Sequence, residues 1–273
     1  MYLINGQATD TLSAFDRGLH YGDGLFETIA INRQQPLCWR EHIARLESGC
    51  KRLGIPCPED SLLQSEADKL CQTADQGVLK IMVTRGEGGR GYRLPDRIQP
   101  TRLLALYPWP DYPPEYATKG INIRLCNTRL GRNPQLAGIK HLNRLEQVLA
   151  RSEWDDPDIT EGLVRDTEDN IIEGTMSNLF MLQGNSLVTP DLMYCGVAGV
   201  VRHCLLELAV NAGFETSVST FRYRDLLAAD ALFLTNSTLG LWPVVKLEDT
   251  RFSLHPEVER IRQMLIERNV IVG

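Results

Sequence analysis

The chain has 273 residues, of which 43% are hydrophobic and 23% charged, and this composition excludes disordered and fibrous proteins. The 29 Lys and Arg residues against 35 Asp and Glu residues give a net charge of −6, so overall charge does not favour binding to nucleic acid or to an anionic membrane. No apolar run approaches the roughly 18 residues of a membrane-spanning helix, and we expect no membrane partner.

The first hundred residues predict a small lobe of strands and helices. Apolar residues recur every three or four positions over residues 41–53 and again over residues 61–72, which predicts two amphipathic helices. Apolar, β-branched runs predict strands over residues 78–84 and 103–107. The segment between these strands, GEGGRGYRLPDRIQP, is too rich in Gly and Pro for regular structure.

A proline-rich segment, YPWPDYPPEY at residues 107–116, separates this lobe from the rest of the chain. Four prolines in ten residues are typical of a semi-rigid extended connector. We therefore predict an N-terminal lobe over residues 1–110, a linker over residues 111–117 and a larger C-terminal lobe over residues 118–273.

The C-terminal lobe is predicted to mix short strands with three helices. The predicted strands cover residues 121–126, 162–165, 179–182, 186–188, 231–235 and 244–247, and the predicted helices cover residues 141–154, 200–211 and 256–268. Short strands and helices in both halves indicate an α+β protein of two lobes.

The seven cysteines are spread along the chain without a Cys-x-x-Cys pair or a grouping with histidine. An odd number at such spacing predicts reduced thiols rather than a disulfide framework or a zinc site, and we expect no bound metal. The first ten residues, MYLINGQATD, lack the basic and apolar segments of a secretory signal. Both features favour a cytoplasmic location.

Two features look like functional motifs but have simpler interpretations. The run GEGGRGY at residues 86–92 is not a Walker A phosphate loop, because no Gly-Lys-Ser/Thr follows it, and we expect an active-site loop that presents an arginine. Glu41 and His42 stand at the start of a predicted helix, where capping and solvent exposure are expected.

Lys140 is a candidate nucleophile, because it follows an apolar stretch and precedes a predicted amphipathic helix. Desolvation would lower the pKa of its ammonium group and suit the amine to Schiff-base chemistry. Taken alone, a lysine at this place is most simply a solvated surface charge. Glu173 changes that balance, since a carboxylate after two isoleucines in NIIEGTMSNLF needs a cationic or proton-donating partner.

An anion site is predicted at GVAGVVR, residues 196–202, where a turn of small residues leads into a helix whose N–H groups can bind an anion. Arg45 could add a bidentate phosphate contact. An amine, a carboxylate and an anion site with an arginine are the groups that pyridoxal 5′-phosphate (PLP) requires.

These motifs, in their order and spacing, resemble those of the fold-type IV PLP enzymes, which include branched-chain aminotransferases, D-amino acid aminotransferases and 4-amino-4-deoxychorismate lyases. The resemblance spans nearly the whole chain. It is carried by DRGLHYGDGLFET, EHIARL, GIKHLNRL, IIEGTMSNLF, GVAGVVR and FLTNS. It implies a two-lobed α+β fold like that of D-amino acid aminotransferase, with the cofactor between the lobes, and a homodimer.

The resemblance also implies a role for individual residues. Lys140 would be the Schiff-base lysine, Glu173 the partner of the pyridine nitrogen and Arg45 a phosphate ligand. The other implied cofactor contacts are the backbone N–H groups of Val200 and Val201 and the side chains of Ser237 and Asn236. The implied substrate contacts are Arg90, Tyr92, Phe26 and Arg144, with Arg132 as a further possibility, and Thr28 lies where a polar residue would assist proton transfer.

The branch of the family follows from departures in this sequence. Phe26 replaces the tyrosine that D-amino acid aminotransferases carry in GDGxYE. The run RLGRNPQLAGIKHLNRLEQVLAR, together with GGRGY, is most similar to the lyase branch. That branch implies a PLP-dependent lyase that forms 4-aminobenzoate and pyruvate from 4-amino-4-deoxychorismate in folate biosynthesis.

Two other functions remain open at this point. An aminotransferase acting on D- or branched-chain amino acids would share every cofactor residue. The chain could also be a non-catalytic relative that binds either PLP or a partner protein as a scaffold. Such a protein would not need the catalytic groups, and this chain retains them.

Overall fold

The computed structural model describes residues 2–273. The chain divides into two compact units, Met1–Pro110 with Ile139–Asn143 and Asp111–Gly138 with Arg144–Gly273. Each unit has its own β-sheet with helices packed on it. The mixture of helices and strands confirms the predicted α+β class.

The first unit is built around a six-stranded antiparallel sheet. Its elements are β1 (Tyr2–Ile4), β2 (Gln7–Ala8), α1 (Arg17–Tyr21), β3 (Gly24–Asn32), β4 (Gln35–Pro36), α2 (Trp39–Leu53), α3 (Asp60–Cys71), β5 (Gln76–Thr84) and β6 (Thr101–Tyr107). The strand order is β2-β1-β6-β5-β3-β4. The helix α2 packs against β3, and α3 packs against β5 and β6, so the apolar faces predicted for both helices form the core of this unit.

The second unit has a larger, mixed sheet in the order β12-β11-β10-β13-β14-β7-β8-β9, with β15 paired to β14. Its elements are α4 (Glu115–Lys119), β7 (Ile121–Leu130), α5 (Leu145–Arg151), β8 (Glu161–Asp166), β9 (Ile171–Gly174), β10 (Asn178–Gln183), β11 (Ser186–Pro190), α6 (Val200–Asn211), β12 (Glu215–Ser219), α7 (Tyr223–Leu226), β13 (Ala231–Asn236), β14 (Gly240–Leu247), β15 (Thr250–Arg251) and α8 (Pro256–Glu267). The strands β7, β8, β9, β10, β13 and β14 carry most of the buried apolar side chains of this unit.

The segment Ile139–Asn143 belongs to the first unit because it pairs with β3. The Phe26 N–H donates to the Lys140 carbonyl at 2.9 Å, and the Leu142 N–H donates to the Gly24 carbonyl at 3.0 Å. The helix predicted from residue 141 is therefore wrong at its start, since α5 begins only after this segment. Lys140 therefore lies in the first unit, although its position in the chain falls within the predicted C-terminal lobe.

Residues 111–117, predicted as a linker, begin the second unit and contact its core. The rings of Tyr112 and Tyr116 lie edge-on to Trp242, with centroid distances of 4.9 and 5.0 Å. The short helix α4 starts at Glu115, so only part of the segment is extended.

Candidate active site

Lys140 lies beside an aromatic ring of β3. Its Nζ atom is 4.5 Å from the centroid of the Phe26 ring, and the Nζ atom of Lys80 is 5.3 Å from the same centroid. Thr28 is two residues further along β3, on the same face as Phe26, and its neighbour across the sheet is Lys80. The first unit thus brings Lys140, Phe26 and Thr28 to one face of its sheet. Lys80, which sequence analysis missed, adds a second amine there.

Arg45 is held by a buried carboxylate from the opposite face of β3. Its Nε atom donates to Glu27 Oε1 at 2.9 Å, and its Nη2 atom pairs with Glu27 Oε2. His42, one turn earlier on α2, contacts the same Oε2 through Nδ1 at 2.6 Å. Glu27 and His42 are each 1% exposed, so the expectation that His42 faces solvent is wrong.

The ionisation of this cluster follows from its contacts. Burial raises the pKa of Glu27, but the Arg45 charge and the hydrogen bond from His42 outweigh burial and lower that pKa to about 2. Burial lowers the pKa of His42, so its ring is neutral at pH 7. Because an ionised carboxylate only accepts hydrogen bonds, the neutral imidazole donates from Nδ1. Lys140 is among the charges that act on His42, which places the lysine within reach of the cluster.

The loop that carries Arg90 and Tyr92 is anchored between them. Arg17 donates from Nη1 to the Gly91 carbonyl at 3.1 Å, and the Gly91 N–H donates to the Tyr21 hydroxyl at 3.0 Å. Arg90 is exposed, and Tyr92 is 86% exposed with its ring 5.5 Å from that of Tyr21. No helix or ladder strand forms between β5 and β6, as the sequence predicted.

Glu173 is a buried carboxylate in β9 of the second unit. It is 4% exposed, and its Oε2 atom accepts the Val197 N–H at 2.8 Å. Burial lowers the pKa of Arg144, while the charges of Glu173 and Glu146 raise it. Arg144, predicted to bind substrate, therefore lies in the electric field of Glu173.

The turn before α6 approaches Glu173 closely because it contains Gly196. The φ angle of this glycine is +85°, and a Cβ atom there would lie 2.7 Å from Ile172 Cγ2 and 3.4 Å from Glu173 Cδ. The left-handed backbone and the tight contact both require glycine at this position.

The first turn of α6 has the geometry of an anion site. Gly199 is the N-cap residue, and no side chain within residues 2–273 caps the helix. The backbone N–H groups of Val200 and Val201 therefore lie at an uncapped helix N-terminus, where an anion can bind. The Asn178 amide fixes this turn by donating to the Val197 carbonyl at 2.9 Å. Both valine side chains are buried and anchor the helix.

Asn236 shapes the turn that contains Ser237. Its Oδ1 atom accepts the N–H groups of Thr238 and Leu239 at 2.8 and 2.7 Å, and its Nδ2 atom donates to the Met176 carbonyl at 2.9 Å. These bonds commit the Asn236 amide to holding the backbone.

Glu161 is a further buried carboxylate that sequence analysis missed. It is 1% exposed and accepts the N–H groups of Thr175 and Met176, each at 3.2 Å, and the Ser177 hydroxyl at 2.9 Å. The Thr175 hydroxyl and the Gly162 N–H also donate to it. Glu161 thereby fixes the turn after Glu173. A carboxylate at the start of the apolar run EGLV was the available signal.

The predicted site residues are divided between the two units. The first unit holds Lys140, Phe26, Thr28, Arg45, Arg90 and Tyr92, and the second holds Glu173, Arg144, Arg132, Val200, Val201, Asn236 and Ser237. Arg132 pairs with Asp166 at 3.6 Å and stacks on Tyr194, with 3.9 Å between its Cζ atom and the ring centroid. Across residues 2–273, no helix is both long and apolar enough to cross a bilayer.

Comparison with known proteins shows the family. The chain is 35% identical to aminodeoxychorismate lyase from Vibrio harveyi, covering 89% of this chain and 90% of that protein. The crystal structure of 4-amino-4-deoxychorismate lyase from Pseudomonas aeruginosa superposes with a TM-score of 0.94 at 43% identity, covering 98% of both chains. A PLP-bound hypothetical aminotransferase from Mycobacterium tuberculosis, 19% identical, has the same fold with a TM-score of 0.87 over 99% of both chains. The family model described as amino-transferase class IV matches residues 24–247, and the chain therefore belongs to the class IV aminotransferase family.

Proposed function

We infer that this chain is a PLP-dependent lyase that converts 4-amino-4-deoxychorismate to 4-aminobenzoate and pyruvate, a step of folate biosynthesis. The observation that carries the inference is the similarity to two proteins named as this lyase, 35% and 43% identical over nearly the whole chain. The class IV family is PLP-dependent.

The donor groups of this chain fit the cofactor. Lys140 supplies the amine that would bind the cofactor aldehyde covalently, and Glu173 supplies a buried carboxylate for the pyridine nitrogen. Arg45, the N-terminus of α6 at Val200 and Val201, and the Ser237 hydroxyl would hold the phosphate, with Asn236 shaping the turn around Ser237. The uncapped start of α6 and the buried position of Glu173 are the structural features that support this assignment.

Each residue then has a chemical task. When bound, PLP supplies an electron sink for negative charge that develops on the carbon next to the substrate amine. Glu173 keeps a proton on the pyridine nitrogen, which strengthens that sink. Lys140 would act as the general base that removes the proton from ring carbon C4 of the substrate. The electrons of that C–H bond would then expel the enolpyruvyl group, which takes up a proton to form pyruvate, and the ring becomes aromatic.

The substrate carries two carboxylates, which calls for cationic groups near the reacting carbon. We propose Arg90 and Arg144 as carboxylate ligands, with Tyr92 and Phe26 lining the substrate. Thr28, on the same sheet face as Phe26, would assist proton transfer by Lys140.

The rival function is an aminotransferase, since the family model bears that name. Incubation of the purified protein with 4-amino-4-deoxychorismate, without any 2-oxo acid as amino acceptor, separates the two. A lyase releases 4-aminobenzoate and pyruvate in equal amounts. An absence of 4-aminobenzoate, with turnover of a D- or branched-chain amino acid on adding 2-oxoglutarate, would overturn the assignment.

We further propose that the enzyme is a cytoplasmic homodimer. Three large apolar side chains on one face of α5, Leu145, Val148 and Leu149, are 76%, 60% and 58% exposed, as expected of a surface that a second copy covers. All seven cysteines are thiols, which suits a reducing compartment.

A further inference from the structure

Glu27 is the centre of a charged cluster that the proposed reaction does not use. Its two carboxylate oxygens bind the Arg45 guanidinium at two points, and Oε2 also contacts His42 Nδ1 at 2.6 Å. Side-chain exposure is 1% for Glu27, 1% for His42 and 14% for Arg45. Of the three, only the arginine reaches toward solvent.

The fold alone does not require a carboxylate at this position. The neighbours of Glu27 on the same face of β3, Leu25 and Ile29, are 2% and 0% exposed and pack as apolar side chains. A buried charge is costly unless it is paired and hydrogen-bonded, and an apolar side chain of similar size is often at least as stabilising. Packing between β3 and α2 therefore does not by itself explain why a carboxylate stands at position 27.

The geometry fixes the orientation of Arg45. A guanidinium held through Nε and Nη2 by both oxygens of one carboxylate cannot turn about the Cδ–Nε bond without breaking a charge-assisted hydrogen bond. His42 in turn fixes the carboxylate, because its neutral ring donates to Oε2. The chain of contacts runs from His42 through Glu27 to Arg45.

We propose that Glu27 and His42 are positioning residues for the cofactor phosphate, which they orient Arg45 to bind. The proposal rests on the proposed PLP-dependent function and on Arg45 as a phosphate ligand. It assigns no direct contact with substrate or cofactor to Glu27 or His42.

A comparison of PLP with pyridoxal, which lacks the phosphate, tests the proposal. The full chain is freed of cofactor, and the dissociation constants of both compounds are measured by titration of tryptophan fluorescence. Glu27→Gln should weaken PLP binding by about tenfold or more while changing pyridoxal binding by less than about twofold. Arg45→Lys should show the same selective loss, and the double variant should lose little more than either single variant.

A matched control is available in the same unit. Glu66 on α3 is 3% exposed and accepts hydrogen bonds from Arg102 on β6. The Arg102 Nε atom lies 2.9 and 3.1 Å from the two carboxylate oxygens, and its Nη2 atom lies 2.6 Å from one of them, so this ion pair is comparable to that of Glu27 and Arg45. Glu66→Gln should leave the ratio of the two dissociation constants unchanged. If Glu27→Gln does not fold, His42→Phe replaces it, because this substitution removes the hydrogen-bond donor to Glu27. His42→Phe should also weaken the binding of PLP more than that of pyridoxal, but by a smaller factor than Glu27→Gln.

Three outcomes would overturn the proposal. In the first, Glu27→Gln keeps the wild-type ratio or weakens PLP and pyridoxal equally. In the second, Glu66→Gln also weakens PLP binding more than pyridoxal binding, which would show that the loss of any buried ion pair in this unit has this consequence. In the third, Arg45→Lys retains the preference for PLP, which removes Arg45 as the phosphate ligand. None of these results touches the lyase assignment, which the products of the reaction test separately.

Discussion

Lys140 is placed by backbone pairing rather than by a helix. Its carbonyl accepts the Phe26 N–H, which ties the lysine to the sheet face that carries Phe26 and Thr28. Lys140 lies in an irregular segment, but the hydrogen bonds of this segment to β3 hold its backbone better than that of a free loop. This arrangement suits the role proposed for Lys140, which is to hold the cofactor and then to move a proton.

Replacement of Lys140 tests its role directly. The wild-type protein, purified with cofactor, should be yellow and should lose its visible absorption band on borohydride reduction. Lys140→Ala should lack the reducible band, and its rate of 4-aminobenzoate formation should fall by at least about 10²-fold, because both the covalent link and the general base are gone. A variant that keeps the same reducible band would show that another amine holds the cofactor.

The ionisation of Glu27 predicts how stability depends on pH. Burial raises its pKa, but Arg45 and His42 bring it down to about 2, well below the value in the unfolded chain. The stabilisation is therefore complete above the unfolded pKa of about 4.3 and is lost as the pH falls toward the folded value. The difference in free energy of unfolding between wild type and Glu27→Gln, measured in urea, should shrink between about pH 6 and pH 3. A difference that stays constant over this range would contradict the folded-state pKa.

The sequence pointed to the candidate site residues that stand in family motifs, but not to the buried residues that hold Arg45. Lys140, Glu173 and Arg45 stand in motifs whose order along the chain resembles a known family. Glu27 and His42 were missed because a polar residue at alternate strand positions, or at a helix start, usually faces solvent. Here both point inward and satisfy each other, which only the pairing of α2 with β3 reveals.

At the scale of elements, local patterns predicted the helices that carry their own apolar face. The bounds of α2, α3, α6 and α8 lie within two residues of the predicted ranges. The pattern failed at residues 141–144, where pairing of Lys140 and Leu142 with β3 competes with helix formation. Such pairing joins segments more than a hundred residues apart, and no local periodicity encodes it.

The close approach of the turn before α6 to its neighbours predicts how a substitution of Gly196 affects stability. In Gly196→Ala the new Cβ would meet Ile172 at 2.7 Å, whereas in Gly213→Ala, at a similar φ of +88°, it would meet nothing within 4 Å. The control should cost about 1 kcal/mol in urea unfolding, and Gly196→Ala at least about twice as much. Only Gly196→Ala should also weaken PLP binding, because Val197 next to it donates to Glu173. Equal effects of the two variants would remove the close approach as the reason for glycine.

At the scale of the whole molecule, the division into units follows contacts rather than chain order. The units divide between Pro110 and Asp111, and the segment Ile139–Asn143 belongs to the first unit although most of its neighbours in the chain belong to the second. Composition cannot show such a crossing, because the segment has no distinctive residue content. The net charge of −6 likewise says nothing about where individual arginines and lysines lie in the fold.

The exposed apolar face of α5 predicts the oligomeric state. Light scattering coupled to size-exclusion chromatography should give the mass of a dimer for the wild type. Leu149→Glu should shift the protein toward the monomer, since it puts a charge beside the two remaining exposed apolar side chains, Leu145 and Val148. Val210→Glu, at a 57% exposed position on α6, is the matched control and should remain dimeric. A monomeric wild type, or a dimer unaffected by Leu149→Glu, would contradict the proposed interface.

The stoichiometry of the products distinguishes a lyase from an aminotransferase. The purified protein is given 4-amino-4-deoxychorismate together with 2-oxoglutarate, and 4-aminobenzoate, pyruvate and glutamate are measured in the same sample. A lyase forms equal amounts of 4-aminobenzoate and pyruvate, at a rate that does not depend on 2-oxoglutarate. If this sample contains no 4-aminobenzoate, and a second sample with D-alanine or leucine in place of 4-amino-4-deoxychorismate forms glutamate, the protein is an aminotransferase and not a lyase.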